Sequence, residues 1–453
     1  MKFKRLVAVL LSMIMLISLF GGCSSKKPDT VTNEQEQKTS DKAPDAVQKN
    51  EANKENDIKG EITIAAWNDQ ADSMEAEIEG FNKKYPNVKV TVQRVTGTYE
   101  KIIPPLTAGM GAPDIVQVQQ RDYQNFLMKF PDQFVDLTDK LKAHEKEFAE
   151  AAWISVVKDN KVYGIPIDLG PVGVYYRKDF FEQAGIDAKS LTTWDKFIAA
   201  GKELQKKLPN VKMTTYDTTG PDLYTPWQIL MNQLGGEFYD ANGNIDFTHE
   251  PAFKAMELLK HMKDEGLVFS TPTWDDRVRA VANGNTATII YPVWYAGTIR
   301  HQAADLKGKW GVIPLPAFVE GGPNQAASGG SVFGITTQSK NKEAAWAFVE
   351  YCLLTNEGQS VQMKYGLFPA WAPYYDTEDF KKDDEYFGFS IAQTFADLST
   401  NIPPLHYGVY FLDFRKPLLD AFGAAISGEM SIEKAFKQAE EQSAKATGLK
   451  IAE

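Results

Sequence analysis

The chain has 453 residues, 49 basic against 60 acidic, and a net charge of −11; 43% of its residues are hydrophobic and 12% aromatic. An acidic chain with no basic cluster beyond its first few residues excludes a nucleic-acid partner. With 2 Cys there is no disulfide framework, and with 5 His, no two at ligand spacing, neither a metal centre nor a cofactor is expected.

The N-terminus opens Met1-Lys2-Phe3-Lys4-Arg5, runs apolar from Leu6 to Phe20 and ends in Gly21-Gly22-Cys23. A basic start, a short apolar core and small residues before a cut site read as a secretory signal over residues 1–22. The run falls short of the about 20 apolar residues of a spanning helix. Gly21-Gly22-Cys23 resembles the lipobox of bacterial lipoproteins, with Phe20 in place of the usual Leu. The resemblance implies that Cys23 carries lipid and holds the protein to the outer face of the cell membrane. Cleavage there removes Lys2, Lys4 and Arg5 and lowers the charge of −11 by three, to −14. Residues 23–58 read as a disordered tether. Ser24–Asp57 has no aromatic residue, Leu or Ile and cannot offset its ordering entropy. Its reach is about 30 Å.

The roughly 390 residues that follow exceed what one core usually serves, so two domains are expected. Glu61–Trp67 reads as a strand. Gln70–Lys84 is a helix with Met74, Ile78 and Phe81 on one face. Val88–Val95 alternates in strand period, and Ile115–Val118 is a short apolar strand. Pro104-Pro105 interrupts a helix expected between Tyr99 and Gly109. This β-α-β-α-β order predicts an α/β domain with a largely parallel sheet. Tyr163–Pro166 and Val172–Arg177 are strand-like, and Trp194–Leu208 is a helix opened by Thr192. Pro251–Lys263 is a helix, and Thr286–Tyr291 and Trp310–Leu315 are strands. Glu343–Thr355 is an apolar helix enclosing Cys352, which reads as a buried, inert thiol. Asp413–Ile426 and Ser431–Ala446 are the closing helices.

Catalytic signatures are scarce. Phe333 breaks the nucleophile-elbow spacing of Gly329–Gly334. Asp240–Asp246 has its Gly at the wrong place for a calcium loop and reads as a hairpin turn. Among 60 Asp and Glu some pair is always conceivable, so composition alone says nothing about glycoside hydrolysis.

Aromatic residues at element ends beside polar ones are the positive signal. Trp67 precedes Asn68-Asp69, and Trp227 follows a turn-rich stretch at Gly220-Pro221. Trp274 precedes Asp275-Asp276, Trp294-Tyr295 follow a strand, and Trp371 lies in Phe368-Pro369-Ala370-Trp371. In open α/β sheets ligands bind beyond the strand C-termini. Flat aromatic faces there suit the C–H faces of pyranose rings, and carboxylates and carboxamides suit their hydroxyls. Two other classes remain open on these residues: an anchored glycoside hydrolase, and a binding protein for a non-sugar solute such as a polyamine or an iron chelate.

Residues 59–453 resemble the extracellular solute-binding proteins of carbohydrate ABC importers (family 1, the class that includes the maltose-binding protein). The resemblance rests on Ile62–Trp67, Gly111–Val116, Gly164–Pro166 with Tyr175–Asp179, Asn283–Ala287 with Pro292–Trp294, and Gly329–Ser331 through Trp346, in that order. It implies an α/β, two-lobed periplasmic-binding-protein-like fold of type II. The cleft would lie between the lobes, and the hinge would be crossed about three times, near Asp168–Val172, Pro314–Phe318 and Phe368–Trp371. The N-terminal lobe would comprise residues 59–168 and 318–368, and the C-terminal lobe residues 172–314 and 372–453. The implied ligand is an oligosaccharide, and the implied partners are ABC permease subunits and the membrane that holds the anchor, with the protein a monomer in its Gram-positive form and no catalysis. Trp67, Trp294, Trp371 and Asp168 match cleft positions of the family. Gln119, Arg121, Asp275, Gly329 and Gly330 are hydroxyl partners in this reading, and Asp69 and Tyr295 lie beside them.

Overall fold

The structure is a computed structural model that describes residues 57–453 except Pro221. The signal segment, Cys23 and the tether up to residue 56 lie outside the described residues. Ile58, assigned to the tether by composition, packs against a core cluster.

Alternation of apolar residues builds β1 (Gly60–Ala66) and β2 (Val88–Arg94), which pair in parallel. β3 (Ile115–Gln119) joins β1 in parallel, and β4 (Ile165–Pro166) lies at the far edge. The chain then builds β5 (Val172–Arg177), β6 (Thr214–Tyr216), β7 (Val268–Ser270), β8 (Thr288–Pro292) and β9 (Trp310–Ile313); β8, β5 and β9 form a three-stranded second sheet, and β6 and β7 a separate two-stranded one. β10 (Ser331–Ile335) returns to the first sheet and pairs with both β3 and β4. In the second sheet β5 is flanked by β8 and β9, both antiparallel to it. The parallel pair β6–β7 adjoins through Thr288, whose N–H donates to the Met213 carbonyl at 2.9 Å.

The expectation of a largely parallel sheet therefore holds for β1, β2 and β3 and fails for β10, which is antiparallel to β3 and β4. β10 arrives from the other lobe and runs back against β3. Apolar alternation marks a strand but does not encode its direction.

Helices cover both sheets. α1 (Asn68–Lys84) buries Ala71, Met74 and Phe81. α2 (Ile103–Ala108) begins at Pro104 and Pro105 and is not broken by them, because a first-turn residue needs no N–H donor. α3 (Gln120–Lys129) follows β3 directly. α4 (Trp194–Lys207) is capped by Thr193, which accepts from the Lys196 N–H at 3.3 Å; Thr192, the expected cap, donates to Glu320 instead. α5 (Tyr224–Gln233) and α6 (Glu250–Asp264) pack on one face of the second sheet, in a core with Val172, Phe238 and Phe422. α7 (Trp274–Ala282) and α8 (Tyr295–Gln302) pack on the other face with Tyr175, Ile289 and Trp310. α9 (Lys342–Leu354) and α10 (Asn356–Lys364) belong to the first lobe, and α11 (Phe411–Ser427) to the second. Cys352 is fully buried within α9, and burial pushes its thiol well above the ordinary range, so it is inert as expected.

Between the two sheets, stretches 167–171, 326–330 and 367–371 lie side by side. Leu169 donates its N–H to the Phe368 carbonyl at 3.0 Å and Val172 donates to Ala326 at 2.9 Å, while Ser328 donates to Gly170 at 2.8 Å. The second stretch lies later than Pro314–Phe318. Segment 314–325 is still bonded to the second lobe, through the Ala317 N–H to Thr192 and the Gln233 side chain to Pro316 and Pro323.

Gly170 sits where backbone meets backbone: a Cβ there would fall well inside van der Waals contact distance of the Ser328 carbonyl oxygen. Neither chain is a flexible side-chain end that can move aside. Gly170→Ala is expected to lower stability by about 2 kcal/mol, the scale of an overpacked site, in urea unfolding. An unchanged midpoint would show that the stretches are not tightly apposed.

Candidate functional site

β1 and β3 of the first lobe and β8 of the second end near the junction of the lobes, where β5 and β10 begin. In the first lobe Trp67 follows β1, and Tyr99 lies in the loop after β2. Their rings meet edge to face, with centroids 5.9 Å apart. The Trp67 backbone N–H donates to Gln117 Oε1 at 3.0 Å, which fixes the chain at the strand end. The Tyr99 hydroxyl donates to Asp122 Oδ2 at 2.6 Å and accepts from the Gln119 N–H at 3.0 Å. Tyr99 has φ 63, a left-handed conformation that a bulky residue adopts only when its surroundings impose it. Burial pushes the Asp122 carboxyl up, partly offset by the Arg121 charge and the Tyr99 hydroxyl.

Arg121 carries this wall to the other lobe. Its Nε is 4.0 Å from Asp122 Oδ1, and its guanidinium lies 5.9 Å from the Tyr224 ring and 6.0 Å from the Phe411 ring, both of the second lobe.

The second wall is aromatic. Trp274 and Trp294 lie 6.1 Å apart at 30°, and Tyr291 meets Trp294 edge to face at 5.1 Å. Arg277, 1% exposed, holds the group from behind. It donates to the Tyr291 hydroxyl at 2.8 Å and forms an ion pair with Asp222 on the loop after β6. Its guanidinium lies 5.1 Å from the Tyr291 ring.

The floor comes from the stretches between the lobes. Trp294 Nε1 donates to the Ser328 carbonyl at 3.2 Å. Gly329 has φ 91, and a Cβ there would lie 2.9 Å from Trp294 Nε1; Gly330 has φ 105 and lies against Gln120. Asp168 Oδ1 accepts from the Ser331 N–H at 2.8 Å, and burial raises its carboxyl from 3.8 to about 6.

The structure thus brings Trp67, Gln119, Arg121, Asp168, Trp274, Trp294, Gly329 and Gly330 to one cleft region. Trp227 is a correction. It sits inside α5, fully buried, with its indole N–H donated to the Ala252 carbonyl at 3.0 Å and its ring 4.8 Å from Phe422. Every residue of α5 from Pro226 to Gln233 is buried, so this aromatic was drawn into the core. Tyr295 is fully buried too and backs the two indoles, offering no face to a ligand. Trp371 donates its indole N–H to Glu147 Oε2 at 2.7 Å. Asp69 and Asp275 are exposed, and His301 of the second lobe acts electrostatically on Asp69.

Sequence reasoning missed Tyr99, Asp122, Asp222, Tyr224, Arg277 and Tyr291. Tyr99 and Tyr291 obey the strand-end rule and were open to it; no sequence signal marks the others. Among the described residues no three His, Cys, Asp or Glu gather as a metal would require, and no helix is long and apolar enough to cross a membrane.

Two α/β lobes, with aromatic rings and partly buried ion pairs between them, are the architecture of a solute-binding protein. The chain belongs to the bacterial extracellular solute-binding protein family, which its residues 67–360 match. It is 29% identical to the lactose-binding protein of Rhizobium radiobacter, over 85% of this chain and 92% of that one. It is 27% identical to the arabinooligosaccharide-binding protein of Halalkalibacterium halodurans, over 78% of this chain and 82% of that one. An ABC transporter associated binding protein from B. animalis subsp. lactis, solved in complex with β-1,6-galactobiose, superposes with a TM-score of 0.71 at 24% identity, covering 88% of this chain and all of its own.

Asp168 sets a pH test. Its carboxyl titrates near 3.8 unfolded and about 6 folded, so the folded state is favoured below 3.8 and that advantage is lost as pH rises through about 6. Asn keeps the oxygen that accepts from Ser331 but never ionises. Asp168→Asn is expected to match the wild type below about pH 4 and to exceed it by about 2–3 kcal/mol at about pH 8. Denaturant unfolding at both pH values measures this, and equal gaps at the two would refute it.

Proposed function

We propose that this protein captures an oligosaccharide outside the cell and delivers it to the permease of an ABC importer. The observation that carries the reading is the pairing of indole faces with hydrogen-bonding charges in one cleft. Trp67 stands on the first wall and Trp294 and Trp274 on the second, with Arg121, Asp122 and Asp222 among them. Sugar rings present apolar C–H faces and polar edges, and this lining complements both. The names of the relatives, an arabinooligosaccharide-binding and a lactose-binding protein, support the same ligand class.

In this reading the lobes close about the three stretches between them. Contacts from both walls to the ligand stabilise the closed form, which the permease subunits recognise. The protein works as a monomer and does not turn its ligand over. Lipid on Cys23 and the tether over residues 23–58 hold it near the permease and raise its effective concentration. Intact-mass analysis of membrane-extracted protein is expected to find a diacylglyceryl Cys23 as the first residue; an unlipidated mass would remove the anchor.

Calorimetric titration against a panel of oligosaccharides is expected to find saturable binding, with no shorter products after prolonged incubation. Trp294→Ala is expected to weaken binding by at least about 2 kcal/mol, the scale of a central aromatic anchor. Heat from a polyamine or an iron chelate but from no sugar would sink the reading, and accumulating shorter products would favour a hydrolase.

A further inference from the structure

We propose that the end of the first lobe from which the chain leaves toward Cys23 rests on the lipid surface, with Ile103 and Met110 entering its interface and nearby lysines meeting anionic headgroups. This rests on the reading of Cys23 as a lipid anchor. Residues 102–113 carry no charged side chain. Ile103, Pro104 and residues 107–111 are exposed, and Met110, at 73%, is the most exposed of the large hydrophobic side chains among the described residues. A Cβ at Gly109 or at Gly111 would meet nothing within 4 Å, so Met110 stands on an open turn. One exposed apolar side chain is ordinary at a protein surface. An uncharged, exposed turn that carries two of them is the kind of patch that marks an interface.

Hydrogen bonds place this turn beside the exit of the chain. The Met110 N–H donates to the Pro105 carbonyl at 3.2 Å. Gln338, in the loop after β10, joins the same turn by accepting from the Ala112 N–H at 2.9 Å and donating to the Pro105 carbonyl at 3.1 Å. Three residues on, the Asn341 side chain donates to the Glu61 carbonyl in β1 at 2.8 Å, two residues from Lys59. The link to Cys23 therefore leaves the body on the side of Met110. Three segments bring exposed lysines to this end: Lys59, Lys101, and Lys340 with Lys342. Glu61 and Glu343 there are matched by Lys89 at 3.3 Å and Lys140 at 3.1 Å, which leaves the four lysines in excess over Asp57 and Glu100. A chain of net charge −11 meets an anionic membrane favourably only through such a basic end. A stable protein interface needs about 20–30 shape-matched residues a side, whereas a lipid surface takes two apolar side chains and flanking lysines without matching shape. The contact is weak by itself and gains from the anchor, which supplies a high local concentration. β1 runs from this end to the junction, so its seven residues at about 3.3 Å each hold the cleft about 23 Å farther from the lipid.

The test uses the membrane-extracted protein, its mass measured, in vesicles of phosphatidylcholine alone and of phosphatidylcholine with phosphatidylglycerol. A polarity-sensitive fluorophore is attached through Met110→Cys or, as the comparison on the second lobe, through Val319→Cys, which replaces a side chain 65% exposed. Cys352 is fully buried and stays unlabelled. Unfolding curves establish that both variants are folded. On vesicles with phosphatidylglycerol the emission at position 110 is expected to shift to the blue and to return in high salt, while position 319 stays in water. Lys340→Gln combined with Lys342→Gln is expected to lower the docked-to-free ratio at position 110 roughly five- to tenfold, the scale of two lysines near an anionic surface. Position 110 in water on protein that carries the lipid would overturn the docking and leave the anchor standing. A mass without lipid, together with position 110 in water, would overturn both. A shift that requires permease subunits in the membrane and is absent on lipid alone would overturn the lipid contact and assign the turn to a protein partner.

Discussion

The close apposition of three backbone stretches between the lobes is the constraint on which the rest depends. The first lies in the middle, bonded to the second through Gly170 and Val172 and to the third through Leu169. Gly170 lets two backbones approach to a distance that a Cβ would forbid. Asp168 closes the same junction by accepting from Ser331 at the start of β10. Both sheets leave from this point, so the position of each wall is inherited from it.

The walls need a second device, because a cleft built from aromatic rings is a poor place for charge. Arg121 is accommodated by Asp122 on its own helix and by the ring faces of Tyr224 and Phe411 opposite. Arg277 is accommodated by Asp222 and the Tyr291 hydroxyl. An unpaired buried guanidinium would be strongly destabilising. Paired, each one fixes aromatic rings that would otherwise sample several rotamers. Binding then costs less side-chain entropy, and the lining stays polar enough to meet hydroxyl groups.

Much of the scaffold was legible because local pattern decides it. β1, β2 and the face of α1 with Met74 and Phe81 follow from alternation and helical spacing, and so do the places of Trp67 and Trp294 just past strand ends. What stayed hidden depends on residues far apart in sequence. Trp227 had the same local context as the cleft indoles and went inside because all of α5 is enclosed by the second core. Arg277 and Asp222 look like surface charges until the fold joins them. Glu77 falls beside Met74 and Phe81 on the face read as apolar for α1; it is 1% exposed and burial lifts its carboxyl to about 9. The partner surface from α10 that covers it, through Gln362, comes from the far end of the chain.

The junction also connects the two walls more directly than two separate lobes would suggest. Ser328 accepts from the Trp294 indole of the second lobe, and Gly330 accepts from the Gln120 N–H at the start of α3 in the first, at 2.9 Å. Gly329 is the single residue between these attachments, with φ 91, where an L side chain is strained and glycine is free. Bonds to both walls therefore lie within three consecutive residues.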